Sequence, residues 1–227
     1  MANPGRKPPP DWGFVFVAEA WLPGAGRLPS SDDGGRLKGG APRAVWSTSE
    51  NDPQTVSARS VAQTLEYGGT PAHLVWNPLR GEVVQQVPAT RAARLLSGET
   101  GREGRACLQI MVVGFARHPF TLGPLRDLDL VLDWLDSWGV ARRWPAGPPP
   151  AVPAAYQTLG ERRFWARGGY FGHSQVPDCR IPGPGGIDIG RLTGPDPGPP
   201  RPRLSGEQLG RVNSRPLERP LEAAGGF

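Results

Sequence analysis

Apolar and polar positions along the chain outline strands and helices in alternation. Residues 14–20 (Phe-Val-Phe-Val-Ala-Glu-Ala) have strand character. The Gly- and Ser-rich stretch over 24–42 reads as a long surface loop. A short strand over 43–46 enters Ser-Thr-Ser-Glu at 47–50. Asp52 and Pro53 then offer an N-cap and a first-turn proline for a helix reaching about Tyr67, with Val56, Val61 and Leu65 on its apolar face. Two strand-like runs, 73–77 and 82–87, flank a Pro-Leu-Arg-Gly turn and predict a β-hairpin, followed by a short helix over 89–96. The nearly continuous apolar run at 107–113 has the pattern of a central strand buried on both faces. Leu125, Leu128, Leu132, Leu135 and Trp138 recur at intervals of three and four, which predicts a helix from Pro124 to Trp138 closed by Gly139. The segment 144–155 reads as a rigid Pro-rich connector, and 168–192 as a glycine-rich loop leading into a short terminal element. This order allows an α/β fold.

Composition sharpens the domain limits. The chain has 227 residues, enough for one domain of ordinary size and tails besides. Its 32 Gly and 28 Pro cluster at the two ends and in one internal stretch. We read 1–11 as a flexible leader, 12–192 as the folded domain, and 193–227 as a Pro/Arg-rich, mostly disordered tail with too few apolar residues for a core. The net charge of +5 is carried almost wholly by arginine, Lys7 and Lys38 being the only lysines. These arginines alternate with acids, a pattern that speaks against a nucleic-acid partner. Cys107 and Cys179 are too few for a disulfide framework. The first ten residues lack an apolar signal-peptide region and no stretch is long enough to span a membrane, so a cytoplasmic location is expected, with wall contact only by a non-classical or lysis route.

The chemistry concentrates in a series of short motifs. Val-Trp-Ser-Thr-Ser-Glu at 45–50, His-Leu-Val-Trp-Asn-Pro at 73–78, Leu-Gln-Ile-Met-Val at 108–112, Gly-His-Ser-Gln-Val-Pro at 172–177 and Ile-Pro-Gly at 181–183 follow one another in that order. Together they resemble the zinc-dependent N-acetylmuramoyl-L-alanine amidases of the amidase-2 and peptidoglycan-recognition group, over roughly residues 12–192. The resemblance implies a central mixed β-sheet flanked by helices. It also implies a zinc held by a His at the end of an early strand, the His of the Gly-His motif, and an Asp or Cys just before Pro-Gly. Three protein ligands leave the fourth position for the attacking water. An acid on the central strand handles the proton, and a basic or His side chain before the third ligand stabilises the oxyanion.

Mapped onto this chain, only one of those roles keeps its residue. His173 matches the Gly-His ligand, whereas Ser47 and Ile181 stand at the other two ligand positions, Met111 at the central-strand acid and Cys179 at the preceding base. One imidazole cannot hold catalytic zinc alone, and Met111 cannot act as a general base. The apolar replacements suggest a site floor repacked as a hydrophobic pocket. The reading that follows is a catalytically inactive or strongly impaired amidase-like protein that needs no cofactor and binds a peptidoglycan fragment or a related ligand. Trp46, Glu50, His73, Tyr170 and Phe171 are candidates for the groove, with Trp76 and Trp165 beside them. Each aromatic equally suits the core, and Glu50 equally suits a helix-leading acid. Two alternatives stay open. One is an active zinc amidase of lysin type with a rearranged ligand set drawn from His173, Cys179, Asp178 or His73. The other is an interaction module that uses the fold as a scaffold and the C-terminal tail to contact a protein partner.

Overall fold

Six short strands assemble into one mixed sheet: β1 (Gly26–Arg27), β2 (Arg43–Thr48), β3 (Leu74–Asn77), β4 (Glu82–Gln85), β5 (Cys107–Val112) and β6 (Gly169–Gly172), in the order β1-β4-β3-β5-β2-β6. This computed structural model describes residues 18–151, 160–179, 181 and 183–194. They belong to one compact unit, Met1–Pro195, while the second unit, Asp196–Phe227, contains none of them. The expectations of a leader over 1–11, the 14–17 part of a strand over 14–20 and all but the first two residues of a tail over 193–227 therefore lie outside the described residues; residues 18–20 are not strand, and Thr193 closes a short helix.

The most apolar run becomes the strand most enclosed by neighbours. All six residues of β5 are buried, and β3 and β2 pair with it in parallel on either side. β6 extends the parallel set beyond β2, whereas β4 runs antiparallel to β3 and completes the expected hairpin. Alternate residues feed opposite faces, as a pleated strand requires. Trp46, Trp76, Leu108, Ile110 and Tyr170 pack on one face with Val131, Leu132, Trp134 and Leu135 of helix α2 (Leu128–Ser137). Val75, Val84 and Met111 pack on the other with Ala58, Val61 and Ala62 of helix α1 (Ala58–Tyr67). Two four-residue helices, α3 (Arg162–Trp165) and α4 (Gly190–Thr193), lie near the end of the described chain. Among the described residues no helix is long and apolar enough to cross a membrane.

Four expectations need correction. Helix α1 starts at Ala58, not at Pro53, because Ser57 is the cap: its hydroxyl accepts from Ser60 N at 3.0 Å. Asp52 instead closes a separate turn, accepting from Gln54 N through its carboxylate and from Val56 N through its carbonyl. Helix α2 likewise begins late, since Arg126 N donates to Pro78 O and Asp127 takes a left-handed conformation, φ 60°. The stretch 89–96 is not helical at all. Its backbone bonds run elsewhere: Ala92 exchanges two hydrogen bonds with 34–35, Arg94 N and Leu95 N donate to Pro71 O, and Leu96 N donates to the Gln109 side chain. Finally, the glycine-rich stretch over 168–192 opens with a strand, β6. Glycine is required there by close approach: a Cβ on Gly172 would come within 2.7 Å of Pro184 Cδ.

Candidate functional site

The parallel strands β2, β3, β5 and β6 all end at the same edge of the sheet, and the loops that leave them build the site. Open α/β sheets bind ligands at this carboxyl edge because the loops there converge and are free to vary. Ser47 lies at the end of β2, in register with Met111 on β5. His173 follows β6 directly, at the first position of a 3₁₀ turn over His173–Gln175. That turn is held by Gln175, whose Oε1 accepts from Gly172 N at 2.9 Å and from Trp144 Nε1 at 2.6 Å.

The two side chains meet. Ser47 Oγ and His173 Nδ1 are 2.8 Å apart, and both residues are about 2% exposed. Burial disfavours the charged ring and lowers the His173 pKa from 6.5 to about 4, so the imidazole is neutral near pH 7. This pair is not arranged as a nucleophilic dyad. A base of that kind is oriented by a third group on its far nitrogen, and His173 Nε2 has no hydrogen-bond partner among the described residues. Both side chains are almost fully buried.

The residues at the acid position and the third ligand position implied by the resemblance are both apolar. Met111 sits in the apolar cluster beneath α1 with Val75 and Val61. Ile181 is 46% exposed, so it does not form the hydrophobic floor anticipated for the site. The 181–185 loop nevertheless belongs to this edge: Ser174 N donates to Gly183 O at 2.9 Å, and a Cβ on Gly183 would lie 3.2 Å from Thr48 Oγ1. One imidazole, one hydroxyl and one alkyl chain do not fit a catalytic zinc, which needs three N, O or S ligands.

The rearranged ligand set fares no better. His73 is fully buried, with Nε2 on Arg91 O at 2.9 Å and Nδ1 accepting from Gln109 N at 3.0 Å. Asp178 pairs with Arg162 at 2.5 Å, and Cys179 lines a separate cavity of about 290 Å³ with Arg162, Asp178 and Glu99. Among the described residues no group of three His, Cys, Asp or Glu side chains is placed to hold a metal.

The groove candidates also move. Trp46, Trp76, Tyr170 and Phe171 have no exposed surface, and Trp165 is 1% exposed, so these aromatics are core and line no open groove. Trp46 stacks edge-on against both Trp76 and Tyr170. His73, bonded on both nitrogens, is core as well. Glu50 alone of the candidates stays at the surface of the carboxyl edge, where its Oε1 accepts from Thr48 Oγ1 at 2.7 Å and Ala116 N at 2.9 Å. Beside it the structure opens a cleft of about 290 Å³. Asp52, Pro53 and Gln54 form one wall, Pro78 and Leu79 another, and residues between Val113 and Pro124, including Phe115, His118 and Phe120, the third. The sequence reading gave these residues other parts, Asp52 and Pro53 as a helix start and Pro78 as the end of a strand motif, because nothing local marks them as neighbours. The available signal was indirect: all three segments lie just past the ends of β2, β3 and β5.

No protein-family model matches the sequence, and no curated protein matches it. Solved structures do resemble it in fold. An endolysin N-acetylmuramoyl-L-alanine amidase, LysCS from Clostridium intestinale URNW, superposes with a TM-score of 0.45 at 8% identity, over 76% of this chain and 95% of the other. A selenomethionine derivative of AmpD gives 0.42 at 20% identity, covering 78% and 96%. PGRP-Hd from Alvinella pompejana gives 0.34 at 9% identity, covering 51% and 75%.

Proposed function

We propose that this chain is a catalytically inactive amidase-like protein that binds a peptidoglycan fragment or a related ligand at the carboxyl edge of its sheet. The observation that carries this reading is the Ser47–His173 hydrogen bond. The only imidazole remaining at the metal positions implied by the resemblance has its Nδ1 engaged by a serine hydroxyl. Water bound to zinc owes its acidity to several ligands acting together, and the donors at 47, 173 and 181 cannot reproduce that. Met111 at the acid position has no proton to give or take, which removes a contribution of about 10²–10⁴-fold to the rate. Binding survives this loss because the cleft is built from other residues. Its apolar Pro, Leu and Phe walls, with Asp52, Gln54 and His118 among them, suit a peptide with small apolar side chains and a few polar groups.

Three measurements on the purified full chain test the reading together: elemental analysis for zinc, chromatographic assay of peptide release from muropeptides, and calorimetric titration with N-acetylmuramoyl tripeptide. The expected result is substoichiometric zinc, no peptide release and saturable binding. Stoichiometric zinc and hydrolysis that both vanish in His173→Ala would overturn it, as would the absence of any binding.

A further inference from the structure

We infer that Glu50 is a positioning residue that fixes the 113–118 loop beside the cleft against the end of β2 by hydrogen bonds. This rests on the binding role proposed above. Three loops meet around Glu50. The first is its own, following β2, where Glu50 takes a left-handed φ of 55° that non-glycine residues seldom adopt. The second is 113–118, whose Val113, Gly114, Phe115 and His118 line the cleft; Glu50 captures it through Ala116 N, next to Phe115, while the same oxygen accepts from Thr48 Oγ1. The third is 183–185, packed so closely on the other two that a Cβ on Gly185 would come within 2.0 Å of Ala116 O. With Ser47–His173 and Ser174–Gly183, these contacts tie together the end of β2, the Gly-His turn and the Pro-Gly loop.

A clamp of this kind acts through backbone geometry and needs no contact between Glu50 and the ligand. Its chemistry requires an acceptor oxygen, which glutamine retains and alanine lacks. Charge-assisted bonds are about twice as strong as neutral ones, so glutamine should restore most of the effect, not all of it.

The experiment compares the full chain with Glu50→Ala and Glu50→Gln by hydrogen–deuterium exchange over 113–118 and 183–187 without ligand, and by titration with N-acetylmuramoyl tripeptide. Glu50→Ala is expected to speed exchange at Ala116 and to weaken binding, each by about tenfold or more, the effect of losing a hydrogen bond to a charged group. Glu50→Gln should stay within about threefold of the parent in both. Unchanged exchange in Glu50→Ala, or a Glu50→Gln variant as impaired as Glu50→Ala, would overturn the inference. If the parent chain binds no muropeptide, the proposed function fails, while exchange in the ligand-free variants still decides the clamp.

Discussion

His73 and His173 are buried imidazoles with the same depressed pKa, about 4, and desolvation is the main cause in both. Their surroundings give them different work. His73 joins two backbone groups, Arg91 O and Gln109 N, and so stitches the start of the hairpin to the central strand. His173 joins a side chain at the end of β2. Because the folded pKa lies below the ordinary 6.5, the unfolded chain binds more protons between about pH 6.5 and 4. Stability from these two groups is therefore fully present above about pH 6.5, falls as pH drops through that window, and is lost below about 4. Together they should lower the unfolding free energy by several kcal/mol, on the order of what such shifts imply. Urea unfolding followed from about pH 7 to about pH 4 checks this, and an unchanged midpoint would refute it. Ser47→Ala should cost about 1–3 kcal/mol by leaving Nδ1 buried without a partner. Thermal unfolding measures that, and no loss would mean that the bond contributes nothing.

Elements follow their apolar patterns where the backbone is left to pair with itself and depart from them where side chains intervene. The hairpin, β5 and the body of α2 came out of periodicity alone, because burial of a stripe or of both faces is what those patterns encode. The stretch 89–96 did not, and Gln109 is one reason. This glutamine is fully buried on the central strand, accepts from Leu96 N at 2.8 Å, and donates to Ala93 O at 3.2 Å. Gln85 and Gln86 do comparable work, bonding Leu22 N and Ala20 O, and Ala72 N and Ala62 O. Gln109→Leu keeps the volume roughly constant but orphans several buried groups, so it should destabilise by about 2–5 kcal/mol. A denaturant midpoint close to that of the parent would argue that 89–96 finds other partners. The cap of α1 gives a second check: Ser57→Ala should cost about 1 kcal/mol, whereas a helix starting at Asp52 would leave Ser57 replaceable without loss.

For the molecule as a whole, the carboxyl edge decides what the fold can do. Ser47→His combined with Ile181→Asp would add two donors to His173, three in all, at the metal positions the resemblance implies. The double variant should then take up zinc in calorimetric titration, while each single variant should not. It should still release no peptide, because Met111 remains at the acid position. Zinc uptake equal to that of the parent would count against the map. The sequence by itself determined the hairpin, the central strand and the body of α2, since each is written in local spacing and residue type. Residue type alone also carried the expectation that Ser47, Ile181 and Met111 replace the ligands and the acid implied by the resemblance. Only the tertiary structure decided that Ser47 closes on His173, that Trp46, Tyr170 and Phe171 are core, that Ile181 is largely exposed, and that the open cleft lies among 52–54, 78–79 and 113–124. Those outcomes depend on which strands become neighbours and which loops their ends bring together, and no local pattern along the chain carries that information.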